Sequence, residues 1–490
     1  MSPTDAALDR SNHTLKALIA HAQAYGFIYP SSEIYDGLQS IYDYGPYGIA
    51  LKRNLQDFWW KSMTQLHQNI VGIDAAIMMH PTTWKASGHI DGFTDPMVDN
   101  KDSQKRYRVD LLIEEHAAQL VAQGKPAEAQ DLIEEMEHCL QAGNLTGLDK
   151  LLQHFAIACP LSKTNHWTPV RQFNLMFSTQ VGAQNDATTL YLRPETAQGI
   201  FVNFLNVQKT ARMKIPFGIA QIGKAFRNEI VARQFTFRMR EFEQMEMQFF
   251  IQPDTEAKWF NYWQENRKAW YSSLGINEEK LNLHPHKQLA HYATAAVDIE
   301  YAFPFGFKEV EGIHSRTDFD LKSHEQYAKK KLQYFDPDLK KHYTPYVIET
   351  SVGLDRLVLM LLSNGFVQTE HPTDGQRTYL KLPAPLAPIK AAIFPLVKKD
   401  GLAERALALF DTLKYDFPLI YEEAQSIGKR YTRQDLIGTP YCITVDYQTL
   451  EDETVTIRER DAMAQHRIHM AEVASHLEVT TSIKSLLARL

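Results

Sequence analysis

One stretch narrows the choice of fold more than any other: AFRNEIVARQFTFRMREFEQMEM, residues 225–247. Four arginines (Arg227, Arg233, Arg238, Arg240) and four glutamates (Glu229, Glu241, Glu243, Glu246) stand there among apolar residues. The pattern reads as FRNE on one strand, a loop, and FRMREFEQME on the next. Successive residues of a strand point to opposite faces. Arg238, Arg240, Phe242, Gln244 and Glu246 are thus expected on one face, and Glu241, Glu243 and Met245 on the other. Arg227 and Glu229 are expected to share a face of the first strand. A face of this kind is poorly suited to a core. Either it is solvated, with cross-strand Arg–Glu pairs, or it takes a planar, anionic ligand. Arginine grips phosphate oxygens in pairs, a ring stacks on a base, and a carboxylate receives an ammonium.

Two other segments favour the ligand. YLRPETAQG (191–199) sets Arg193 and Glu195 at the end of a β-like run. IETSVGLDR (348–356) sets Glu349 and Ser351 on one strand face and Arg356 just inside a helix. Three strand ends offering Arg with Glu are hard to explain as three solvated faces. A kinase or dehydrogenase is disfavoured, since the chain has neither a P-loop nor a G-x-G-x-x-G after a strand. The net charge of −7 gives no general attraction to polyanions, so any nucleic acid must find local basic patches.

The flanking organisation is that of a multidomain cytosolic protein. No apolar run approaches the roughly 20 residues of a membrane span. The N-terminus reads as an amphipathic helix, not a secretion signal. GIALKRNLQDFWWKSM (48–63) predicts a helix that buries Leu51, Leu55, Phe58 and Trp59. A β-like run over 70–81 ends at Pro81, and 101–158 reads as two or three surface helices forming an insertion. Short β runs from 171 to 250 predict an antiparallel sheet. The prolines of KLPAPLAPIK (381–390) mark a boundary, after which an α/β domain follows. Cys139, Cys159 and Cys442 show no C-x-x-C spacing, which argues against disulfides and a cysteine zinc site.

Together these residues carry a resemblance. Phe226-Arg227-x-Glu229, a loop, then Arg238-x-x-x-Phe242-x-x-x-Glu246 resembles motif 2 of the class II aminoacyl-tRNA synthetases. GLDR (353–356) resembles motif 3, and residues 48–81 resemble the dimer-forming motif 1. DYGPYGIALKRNL, SGHIDGFTDPMVD, RQFNLMF, YLRPETAQGIF and IETSVGLDR resemble the homodimeric glycyl-tRNA synthetases, from about residue 21 to the C-terminus. The resemblance implies an α+β fold. Residues 1–384 would form a catalytic domain on an antiparallel sheet flanked by helices, with motif 2 at about 225–250, a second insertion at about 253–290 and motif 3 at about 346–364. Residues 385–490 would form an α/β anticodon-binding domain.

By the same resemblance the substrates are glycine, ATP with Mg²⁺ and tRNA(Gly), and the protein is a homodimer in the cytoplasm. Arg227 and Arg356 would be catalytic. ATP would lie against Arg227, Asn228, Glu229, Phe237, Arg238, Met239, Arg240, Glu241, Phe242, Glu309, Val310, Gly353, Leu354, Asp355 and Arg356. Glycine would lie against Arg108, Glu195, Phe242, Glu243, Gln244, Met245, Glu246, Arg316, Glu349 and Ser351. A side chain of hydrogen cannot be recognised, only larger ones excluded, and fixed carboxylates would do this while pairing with the ammonium. SIGKRYTRQD (426–435) offers Lys429, Arg430, Tyr431 and Arg433 to unstacked RNA bases, or is a solvated helix start. EDETVTIRERD reads equally as a salt-bridged surface hairpin.

Some family members carry cysteine pairs where this chain has Cys159 alone; His166 reads as an ordinary loop histidine, and no zinc is expected. Two other readings stay in view: a synthetase-like accessory protein without catalysis, and a class II ligase for another amino acid. The first expects loss of Arg227, Glu229, Phe242 or Arg356, all of which are present.

Overall fold

The computed structural model describes residues 3–183, 187–230, 234–286, 289–290, 292–371 and 375–490, without the side chains of 3–13, 371 and 375. Arg233 lies outside the described residues. The largest sheet has seven strands. Its strands are β1 (Ile70–Gly72), β2 (Phe217–Phe226), β3 (Glu241–Ile251), β4 (Leu281–Pro285), β5 (Ala295–Phe303), β6 (Gly306–Thr317) and β7 (Tyr346–Gly353), in the order β4-β5-β6-β7-β3-β2-β1. All neighbours are antiparallel except β1, which runs parallel to β2. In this register Glu246 sits between Gln221 and Ser351, and Gln248 lies opposite Glu349.

One face of the sheet is covered by helices. Helix Pro46–Thr64 begins with proline at its first turn, where the missing N–H is no loss, and buries Leu51, Leu55, Phe58 and Trp59 as its spacing predicts. Helix Leu354–Gly365 follows β7 directly and is buried along most of its length. Met245, Met247 and Phe249 of β3 point into this same core. The alternate residues Gln244, Glu246 and Gln248 face the other way, where polar side chains gather.

Three expectations about local structure need correction. β1 covers only Ile70–Gly72, and Pro81 opens helix Pro81–Ala86 instead of closing a strand. β2 stops at Phe226 and β3 starts at Glu241, because the intervening Phe235–Phe237 turn sinks Phe235 and Phe237 into the core. Arg227, Glu229, Arg238 and Arg240 therefore lie on the connecting segments, and the two-face alternation holds only from Glu241 onward. The insertion is more than surface helices. Val109–Ala122, Pro126–Gln141 and Leu145–His154 close round a core of their own with Ile113, Leu132 and Leu148, beside a sheet of Lys105–Arg108, Thr94–Asn100 and Arg171–Asn174.

The C-terminal part is a five-stranded sheet of β8 (Ala391–Pro395), β9 (Leu419–Tyr421), β10 (Tyr441–Val445), β11 (Thr454–Glu459) and β12 (Gln465–His469), ordered β9-β8-β10-β11-β12. The segment read as a surface hairpin supplies β11, an interior strand with Val455, Ile457, Arg458 and Arg460 buried at or just beyond its end. The proline-rich connection is clamped from both sides. Asn54 donates to the carbonyls of Leu386 and Ala387 at 3.1 Å, and buried Lys390 donates to those of Pro385 and Ala387. Among the described residues no helix is long and apolar enough to cross a membrane.

Candidate active site

A cleft opens where β2, β3 and β7 end, lined by Arg227, Glu229, Phe237, Arg238, Met239, Phe242, Gln244, Glu309, Ser351, Gly353 and Arg356. The Arg227 guanidinium lies between two rings, 5.4 Å from the Phe93 centroid and 5.2 Å from that of Phe242, and its Nε donates to the Pro194 carbonyl. Arg356 stacks 4.3 Å above Phe237, donates to the carbonyls of Phe237 and Glu309, and pairs with the Glu309 carboxylate at 2.9 Å. Two cations are thus held by aromatic faces and backbone on opposite sides of one space.

Glu229 is buried, and its Oε2 accepts no hydrogen bond among the described residues, though Arg238 lies 3.6 Å away. A buried carboxylate oxygen left this way needs a donor, and an exocyclic amine in the cleft would supply one. Asn228 is beside it, with its backbone N–H bonded to the Leu175 carbonyl.

Deeper in, three carboxylates share one pocket. Glu195 follows Pro194 in the loop before helix Ala197–Val202; Glu246 is on β3 and Glu349 on β7. Gln248 Nε2 bridges Glu246 (3.1 Å) and Glu349 (2.6 Å). Glu349 also receives Arg316 Nη1 at 3.0 Å, and His314 Nδ1 lies 2.9 Å from its other oxygen. Arg316 is fixed by two further bonds to Asp320, at 2.8 and 3.0 Å, and lies over the Tyr292 ring. Burial works against ionising Glu195, but His89 and Arg316 outweigh it and hold its carboxyl at about 2. Burial is likewise overcome at Glu349 by Arg316 and His314, which hold it far below the glutamate range. Glu246 goes the other way: burial, then the charges of Glu349 and Glu195, push it well up. Thr196 Oγ1 is hydrogen-bonded to it. The pocket therefore presents two carboxylates held in the ionised form beside a third that is harder to ionise, with Ser351 and Gln244 bonded to each other at 3.3 Å on its rim.

Other predicted residues lie outside the carboxylate pocket, Glu243 and Asp355 in the wall of the cleft. Glu243 points to the helical face, pairing with Lys52 at 3.2 Å and accepting from Gln56, and Met245 is fully buried in the core beneath the sheet. Both are on the face of β3 opposite Glu246, because adjacent strand residues diverge. Glu241 pairs with Lys224, and Arg240 donates to the carbonyls of Glu229 and Gln39, outside the cleft. Val310 and Leu354 are core residues, and Asp355 accepts from Tyr44, Lys52 and the Glu243 N–H at the rear of the cleft. Arg108 is spent on Asp95 and Asp110. His89, His314, Gln248, Asp320 and Lys52 were not among the expected residues. Gln248 continues the 244, 246 alternation and Lys52 falls on the buried stripe of its helix, so these two were within reach of the sequence pattern.

In the C-terminal domain Arg430 is buried, bonded to the carbonyls of Pro395, Leu396 and Glu422. A guanidinium so engaged does not face RNA, and the expected role of Arg430 is corrected accordingly. Tyr431 packs on Phe394 and bonds Thr444, Arg433 pairs with Glu422, and Lys429 is exposed. Cys159 donates its thiol to Tyr107, and His166 pairs with Asp102.

Residues 177–365 match the family described as tRNA synthetase class II core domain (G, H, P, S and T). Residues 390–480 match the anticodon binding domain, and residues 95–129 and 121–175 match glycyl-tRNA synthetase insertion domain 1. Over 470 residues the chain is 52% identical to the glycine–tRNA ligase of Chlorobaculum tepidum, covering 94% of this chain and 99% of that one. The chain belongs to the glycine–tRNA ligase family. The ligases of Geobacillus thermodenitrificans (47% over 472 residues, 95% of this chain and 97% of that one) and Treponema denticola (47% over 480 residues, 96% and 98%) are similar along the same length. The α+β fold expected of a class II ligase with an anticodon-binding domain is the fold described above. Neither an inactive accessory protein nor a ligase for another amino acid is favoured by these relatives.

Proposed function

We propose that this glycine–tRNA ligase joins glycine to tRNA(Gly) in two steps at the cleft and pocket described above. A glycine carboxylate oxygen attacks the α-phosphate of ATP, pyrophosphate leaves, and the glycyl group then passes from the adenylate to the terminal ribose of the tRNA, releasing AMP. The observation that carries this reading is an arginine-lined cleft whose wall residues Gln244 and Ser351 stand two positions along β3 and β7 from the buried carboxylates Glu246 and Glu349. In-line substitution at phosphorus is helped chiefly by positioning and by compensating charge.

Arg227, fixed between Phe93 and Phe242, stands ready for the α-phosphate, and Phe242 offers a face to adenine. Glu229, with its unbonded oxygen, receives the adenine amine. Arg238 takes the γ-phosphate, and Arg356 closes on the nucleotide from the other side. Glu309 is the cleft carboxylate open to solvent beside Arg356, suited to Mg²⁺, which takes most of its ligands from phosphates and water and supplies charge compensation when bound. The glycine ammonium pairs with ionised Glu195 and Glu349, while burial and these two charges work against a third charge on Glu246. Packed, bonded walls of this kind exclude a larger side chain on steric grounds.

Residues 1–384 act as the catalytic unit and 385–490 as the anticodon-binding unit, which reaches the tRNA with Lys429 and Arg433. The active form is a cytoplasmic homodimer built on the motif 1 region, where Ile34, Tyr35 and Leu38 are exposed just upstream of helix Pro46–Thr64. The test is charging of tRNA(Gly) transcripts with labelled glycine, against an alanine tRNA. Glycylation of tRNA(Gly) alone is expected; equal labelling of both, or of neither, overturns the reading.

A further inference from the structure

We infer that Lys52 is a positioning residue for ATP: its buried ammonium offsets half the charge of two carboxylates, Glu243 and Asp355, that would otherwise oppose a polyanion in the cleft. The inference rests on the ATP-dependent reading above and adds to the nucleotide site a residue of the motif 1 helix.

Both carboxylates line the cleft beside Arg227, Arg238 and Arg356. The other two carboxylates of that lining have arginine partners, Glu229 facing Arg238 and Glu309 facing Arg356. Glu243 and Asp355 have none among the described residues. They converge instead on Lys52, which reaches up from helix Pro46–Thr64 to within 3.2 Å of Glu243 and 3.4 Å of Asp355. Its side chain is 9% exposed, so solvent screens it little. Lys224, opposite Glu243 in the strand register, is engaged by Glu241.

Neutral donors complete the arrangement. Tyr44 O–H donates to Asp355 at 2.5 Å and the Glu243 N–H donates to its second oxygen at 2.7 Å, while Gln56 donates to Glu243 at 2.8 Å. The Lys52 ammonium also lies 4.3 Å from the Tyr44 ring centroid. One cation against two carboxylates leaves a single negative charge spread over several donors. Without Lys52, two unshielded charges would stand in the wall of a site that must accept a triphosphate. Asp355 also precedes Arg356 in the first turn of helix Leu354–Gly365, so the cluster fixes the cation that closes on the nucleotide. Lys52 thereby ties the motif 1 helix to both other motifs.

The experiment is glycine-dependent ATP–pyrophosphate exchange with full-length Lys52→Met, Lys52→Arg, Glu243→Gln and the Lys52→Met/Glu243→Gln double variant. Lys52→Met is expected to raise KM for ATP about tenfold or more, as an uncompensated charge near a polyanion should, with KM for glycine little changed. The double variant recovers most of the loss and Lys52→Arg retains near-normal KM. Glu243→Gln alone, which keeps the cation, lowers KM for ATP or leaves it unchanged. An unchanged KM in Lys52→Met, no recovery in the double variant, or equal rises for ATP and glycine would mark Lys52 as structural support only. Should Lys52→Met fail to fold, a raised KM for ATP in Glu243→Gln would by itself overturn the inference. Absence of glycine-dependent exchange in the unaltered protein would instead overturn the reading on which it rests.

Discussion

His314 Nδ1 lies 2.9 Å from Glu349 Oε1, so the pocket carboxylate is held by an imidazole on one oxygen and by Arg316 on the other. The histidine owes its place to a missing side chain. A Cβ built on Gly312, two residues back on β6, would come within 2.7 Å of the His314 ring. Gly312→Ala is expected to swing the ring away from Glu349 and to raise KM for glycine about tenfold, the worth of one charge-assisted hydrogen bond. Because the clash is with the end of a side chain, the cost in stability is only about 1 kcal/mol. Steady-state exchange and urea unfolding of the same variant check both halves.

The Glu195 carboxyl gives a pH dependence with a definite sign. Its value of about 2 in the folded chain, against an ordinary 4.5, means that it stabilises the fold above the ordinary value. That contribution, about 3 kcal/mol, is lost as pH falls from about 4.5 towards 2. Glu246 has the opposite slope and in another window, costing stability as pH rises above its ordinary value, so it does not blur the acid limb. Glu195→Gln is expected to be less stable than the unaltered protein at pH 5, with the gap clearly narrower at pH 3. Urea unfolding at the two pH values reads it, and a gap independent of pH would contradict the assignment.

Two neighbours in the C-terminal domain should separate cleanly. Arg430 is bonded to three carbonyls inside the domain, whereas Lys429 stands in solvent. Arg430→Ala is expected to destabilise by about 3 kcal/mol or more, since it strands buried carbonyls. Lys429→Ala should leave thermal stability unchanged and raise KM for tRNA(Gly). Differential scanning calorimetry and charging kinetics distinguish the two.

What the sequence made legible was chemistry carried by residue type at strand ends. Arg227, Glu229, Phe242 and Arg356 come together in the cleft because motif order fixes which strand ends meet. That Gln244 and Glu246 share one strand face, and Glu349 and Ser351 another, was implicit in period-two alternation; the register that sets Glu246 against Ser351 was not. Legibility failed where partners come from distant segments. Glu243 looks like its neighbours on paper, yet strand geometry turns it to Lys52, 191 residues earlier in the chain by subtraction of the residue numbers. Arg430 shows only its charge in sequence, while the fold spends that charge on backbone oxygens. The 231–233 loop cannot be compared with its reading, because it lies outside the described residues.

The central claim is that the cleft activates glycine with ATP and rejects larger amino acids. Amino-acid-dependent ATP–pyrophosphate exchange with glycine, alanine, serine and threonine tests it most directly, with Arg227→Ala beside the unaltered protein. Exchange with glycine alone, lost in Arg227→Ala, is the predicted result. Exchange of similar rate with alanine or serine, or exchange undiminished by Arg227→Ala, would contradict it.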